Sequence, residues 1–207
     1  MLDTSVEELG TTGLDVEGLV EELIGCDDAG LDERVRALEL QRRRIEAELA
    51  LTANEIDRRR SYADDGHRNL KAYLRGTCSY SNAEAARITR LAAAADAVPG
   101  VADALHLGRI GVPQANEFAL AHGNRRIRDR LVEFAPILLE LAERLSFREF
   151  RICMQRFTML ADTDGAHRDL DDSINGRHAR VDTVNGSLHL SGSGGDPLVN
   201  AEVAAIF

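Results

Sequence analysis

Nine residues of this chain carry side chains suited to reading a nucleic acid, and they fall in two passages of similar layout. The first holds His67, Arg68 and Lys71 at the start of a short helical pattern, then Asn82, Arg87 and Arg90 on a longer one. The second holds Arg109 beside a glycine, with Gln114 and Asn116 just inside the following helix. Arg, Asn and Gln pair with base edges, and in a helix-turn-helix the second helix presents them to the major groove while nearby cations hold phosphates. The same layout is also the commonest way to pack a helical domain, and a capping box accounts for Ser81 and Glu84 without any ligand. The nine are candidate nucleic-acid contacts set against that ordinary role.

Other chemistry finds less footing. His67, His106, His122, His167, His178 and His189 are scattered, and Cys26, Cys78 and Cys153 form no paired spacing. Neither a zinc site nor a disulfide framework is indicated. Asp162-x-Asp164-Gly165 lacks the glycine at the sixth position and the glutamate at the twelfth that a calcium loop needs, so it reads as a turn. His67, following Asp65-Gly66, reads as an anchor between helices rather than a catalytic base. No catalytic, metal-binding or cofactor-binding residue is expected, and the chain is not expected to be an enzyme.

The elements that would position these residues are mostly helices. Thr4 to Glu8 offers a capping box, and Leu19, Val20, Leu23 and Ile24 form a short apolar face before Gly25. From Leu31 to Arg60, Leu31, Leu38, Ile45 and Thr52 fall seven apart, interleaved with Val35, Arg42, Leu49 and Ile56. This heptad either pairs with a second chain or lies on the protein's own core. Leu40 and Leu51 widen the stripe and favour the core. Shorter helices are expected over 67–75, 82–97, 101–107, 113–122, 127–145 with a break or kink at Pro136, and 147–161. Arg177 to Leu190, turning at Asn185-Gly186, reads as a β-hairpin, and Asp196-Pro197 opens a last helix that stops at Phe207.

Length and composition agree with this picture. The 207 residues suffice for one well-buried core, and 4% aromatic content with no Trp favours packed helices over sheets. No run reaches the roughly 18 apolar residues of a membrane span, and the N-terminus lacks a secretory signal, so a cytoplasmic location is expected. The net charge of −10 is local: residues 1–33 hold eleven Asp and Glu and no cation, leaving the rest near neutral. The acidic arm sets a limit on phosphate binding that the remainder of the chain does not share.

Gly66-His67-Arg68, the Glu84-Ala85-Ala86-Arg87 helix, and Gly108-Arg109-Ile110 followed by Gln114-Ala115, in that order, resemble the actinobacterial 13E12-repeat family, whose shared region is domain of unknown function 222. Leu145-Ser146, Asp164-Gly165-Ala166 and Asp196-Pro197 fit the later part of the pattern, so the resemblance covers about residues 30–207. It implies a helical domain commonly placed N-terminal to an HNH endonuclease, and it supplies no binding residues to carry over. The histidine, asparagine and paired-cysteine set of such a nuclease is not found in this sequence.

The resulting expectation is a mainly α fold with one long N-terminal helix and a small C-terminal β-hairpin, truncated within a following helix. It divides into an acidic, partly helical arm (1–30), a helical domain (31–165) and an incomplete hairpin-plus-helix (166–207). The expected function is a non-catalytic domain that positions a nuclease on DNA. The alternatives are a self-association module, dimerising through the Leu31–Ile56 helix, or a truncated repeat copy without a selected function. DNA and a second copy are the partners considered, and no membrane.

Overall fold

The computed structural model describes residues 15–162, together with the backbone of 178–184 and 187–193. The body is built from eight α-helices: α1 (Val16–Gly25), α2 (Asp28–Arg59), α3 (Leu70–Thr77), α4 (Asn82–Ala97), α5 (Val101–His106), α6 (Val112–Gly123), α7 (Arg128–Arg144) and α8 (Phe147–Ala161). Their starts follow local chemistry. Asp27, Asn69 and Ser81 each accept a backbone N–H of the first turn of α2, α3 and α4. Ser146 and Glu149 complete a reciprocal capping box on α8. At α4 the expected box is only half made, because the Glu84 carboxylate turns to Arg87 instead of its own N-cap. Pro136 lies inside α7, which runs through it without breaking.

At the centre stands α4, burying Ala85, Ile88, Leu91, Ala92 and Ala94 and packing against α2, α3, α5 and α6. The face of α2 that meets the core is Ala47, Ala50 and Ala53, small enough for the two helices to approach closely. A larger cluster joins α2 and α4 through α8, with Phe118 and Phe150 in tilted contact at 5.6 Å between ring centroids. A smaller one gathers Ala53, Leu70, Leu74, Ala85, Ile88 and Ala92 under Tyr62, Tyr73 and Tyr80.

Two expectations are corrected here. The fold is not a helical domain completed by a β-hairpin: the body over residues 15–162 is helical throughout, with no strand among its described residues. Residues 178–184 and 187–193 are described only as an antiparallel backbone ladder, His178 opposite Ser193, which does not establish a hairpin as part of the fold. The Asn185-Gly186 turn lies outside the described residues, as does the helix expected from Asp196-Pro197. The physical reason is that Asn-Gly specifies a local reversal only, whereas a lone strand pair is marginal until an apolar surface covers it.

The second correction concerns α2. Its heptad stripe does not lie on the core except at Leu49 and Ile56, which pack against the smaller cluster. Val35, Leu38 and Ile45 are exposed by 66%, 55% and 63%. The alanines let α4 come close where α2 meets the body, whereas the part of α2 before Ala47 buries no residue and leaves its larger side chains uncovered. It follows that Ala50→Leu should destabilise the protein by about 1–3 kcal/mol through overpacking. Ile45→Ala should change stability by no more than about 0.5 kcal/mol. Urea unfolding midpoints at constant slope would check both, and equal costs would refute the assignment of faces.

Candidate functional site

The structure separates most of the nine candidate residues and brings two together. His67 is held within the smaller cluster's margin: its ring meets Tyr73 edge-on at 5.7 Å and lies so close to Gly76 that a Cβ there would come within 2.8 Å of it. Its backbone N–H donates to the Tyr62 carbonyl at 3.0 Å. Arg68 and Lys71 are exposed near and on α3, and Asn82 and Arg90 are exposed on α4. Arg109 is paired with Glu143 at 2.7 Å. Gln114 folds its amide oxygen over Gly111, 2.7 Å from where a Cβ there would sit.

Arg87 and Asn116 come from different passages and line one cleft of about 520 Å³ where α2, α4 and α6 meet. Arg42, Glu46, Glu84, Pro113, Glu117 and Phe147 also line it. Arg87 is the cleft's organising group. Its Nη2 donates to both oxygens of Glu46, at 2.9 and 3.0 Å, and to Glu84 at 2.7 Å, while its Nε donates to Glu84 at 3.0 Å. The Arg87 hydrogen bonds hold the Glu84 carboxyl below its ordinary pKa. Glu84 and Glu46 together raise that of Arg87 against the opposing effect of burial. Asn116 Oδ1 and Arg87 Nη1 are buried without a hydrogen-bond partner.

Glu46 is a residue of the cleft that the sequence pattern does not single out. It sits 41 residues from Arg87, and no local signal announces a pair formed by helix packing. Arg42 is drawn to Glu39 at 2.7 Å, and that hydrogen bond lowers the Glu39 carboxyl to about 2. Glu117 behaves in the opposite way: burial raises its pKa, with Arg151 at 3.8 Å opposing.

In each passage the second helix is a core element. α6 exposes only Pro113, Leu120 and Gly123, and α4 exposes Asn82, Ala83, Arg90, Ala93 and Asp96. A recognition helix needs a free polar face to enter a groove, and α6 has none. Among the described residues no group of three or more His, Cys, Asp or Glu is placed to hold a metal ion. None of the described helices is long and apolar enough to cross a membrane. Within the cleft Arg87 bridges the Glu46 and Glu84 carboxylates, an ion-paired clamp that ties α2 to α4.

The chain matches the family model described as domain of unknown function (DUF222) over residues 32–193. It belongs to this family. No curated protein and no solved structure matches it. The DUF222 match takes in α2 to α8 and the charged cleft, while α1 precedes the matched residues.

The Glu117 environment of this DUF222 domain gives a pH prediction. A carboxyl whose folded pKa is raised above its unfolded value binds more protons when folded, so it favours the fold at low pH. That contribution is lost as pH rises from about 4.5 through the folded value. Glu117→Gln should therefore raise the melting temperature at pH 7, with the gain shrinking below about pH 4.5. A variant that melts lower at neutral pH would show the Arg151 attraction to outweigh the burial cost.

Proposed function

We propose that this DUF222 chain is a non-catalytic protein-interaction domain whose docking surface is the arm formed by α1 and the N-terminal half of α2. One observation carries the reading. Val35, Leu38 and Ile45 are exposed along the part of α2 that precedes Ala47, and Val16, Val20 and Ile24 are exposed on α1. Scattered single apolar residues on a surface need no explanation, whereas a continuous row along two adjacent helices marks a contact site. The closed core, with Phe118, Phe150, Ile88 and Leu91 almost fully buried, supports a selected fold over a decayed copy. The reading takes the protein to act in the cytoplasm.

A second reading, a domain that positions an HNH-type nuclease on DNA, is favoured by Arg68, Lys71 and Arg75. All three are exposed and form no ion pair among the described residues. It loses support from the burial of α6 and from the engagement of Arg87 and Arg109 with carboxylates. A salt-dependent complex with supercoiled plasmid that Arg68→Glu and Lys71→Glu abolish would favour this reading over the first.

The interaction reading predicts that Val35→Asp with Leu38→Asp leaves the body intact. At high dilution the double variant should melt within about 4 °C of the parent, since exposed substitutions cost about 0.5 kcal/mol each. A fall of roughly 8 °C or more in thermal unfolding would mean that the chain itself covers the row, which removes the docking surface.

A further inference from the structure

The α1–α2 arm carries apolar surface that it does not cover itself. Neither α1 nor the part of α2 before Ala47 contains a buried residue. A helix of ten residues such as α1 is too short to hold its conformation in water without packing. Between the two helices runs a groove of about 750 Å³ lined by Leu19, Leu23, Leu31, Val35 and Leu38, with the Glu22–Arg34 ion pair at 2.7 Å beside them. Next to the groove-lining side of α1, Val16, Val20 and Ile24 recur every four residues as an exposed ridge. Ridges of this spacing are what helix grooves accept.

Charge identifies the occupant. Residues 15–33 hold eight carboxylates and no Lys or Arg, whereas residues 34–44 hold five arginines and the single carboxylate Glu39. Arg34 pairs with Glu22, Arg36 with Asp32, and Arg42 and Arg43 with Glu39. The Arg36 and Arg42 pairs lie at the surface, where such pairs contribute little and can exchange. We propose that the groove takes the α1 ridge of a second copy of this chain, each copy seating Val16, Val20 and Ile24 between the other's α1 and α2. This exchange lays the acidic helix of each copy along the arginine-rich stretch of the other, and two-fold symmetry makes the pairing twice. A partner bringing only an acidic or only a basic helix matches half of that surface. The second copy matches both halves, and it also supplies the apolar cover that α1 lacks. The inference rests on the interaction reading and adds the identity of the partner.

The test uses the full chain in two forms. Sedimentation across a concentration series should show a reversible dimer that weakens with salt. Glu17→Arg with Glu21→Arg, or Arg36→Glu with Arg42→Glu, should each weaken it about tenfold or more, and mixing the two charge-reversed chains should restore it. In chains with Cys26, Cys78 and Cys153 changed to Ser, Val20→Cys mixed with Leu38→Cys should give a disulfide-linked heterodimer on oxidation.

A strict monomer whose Val35→Asp, Leu38→Asp variant melts like the parent would overturn the second copy as occupant while leaving the interaction surface standing. A dimer that survives both charge reversals and forms no Val20–Leu38 link would place association elsewhere and overturn the proposal. A large loss of stability in the arm variant would overturn both readings together.

Discussion

The close approach of α2 to α4 through Ala47, Ala50 and Ala53 is the contact on which the rest of the structure depends. Small side chains let two helices pack with backbones near each other, and the volume of the core must then come from the other members. Here it comes from Ile88 and Leu91 of α4, Phe118 of α6, Leu131 of α7 and Phe150 and Met154 of α8. The part of α2 before Ala47 buries no residue, and its larger apolar side chains stay uncovered there.

The same contact fixes the ion network. Bringing α2 against α4 places Glu46 within reach of Arg87, and the packing of α6 on α4 closes Asn116 and Glu117 around them. A half-buried guanidinium bridging two carboxylates specifies register as well as contributing energy, because its planar donors accept few geometries. Arginines used this way are withdrawn from contact with a partner, which is why residue type alone overstates the cations available for phosphate.

Much of the helical layout was legible in the sequence because caps and breakers are local. Ser81, Ser146 and Pro113 mark helix starts through groups a few residues away, whereas α3 begins at Leu70 under an Asn69 cap, three residues after the start expected at His67. The start of α2 was not: Asp27 caps it four residues earlier than the heptad suggested. The buried side of α2 was illegible for a different reason. Hydrophobicity ranks Leu38 and Ile45 above Ala47 and Ala50, but which stretch of α2 is covered depended on where the other helices pack along it, which is a property of the assembled fold. The pairing of Glu46 with Arg87 was hidden for the same cause. The two helix-turn-helix-like passages show the limit most clearly, since two helices joined by a tight turn look alike whether the second enters a groove or a core.

The two unpartnered atoms in the cleft bear on what that cleft is for. Leaving a buried donor or acceptor unsatisfied costs about 1–3 kcal/mol. Arg87 Nη1 and Asn116 Oδ1 carry that cost beside an arginine that makes four charge-assisted hydrogen bonds to Glu46 and Glu84. Such bonds are roughly twice as strong as neutral ones. The bonds of the clamp offset that cost where α2, α4 and α6 pack together. The exposed apolar row on the arm has no compensating contact of this kind within the described residues.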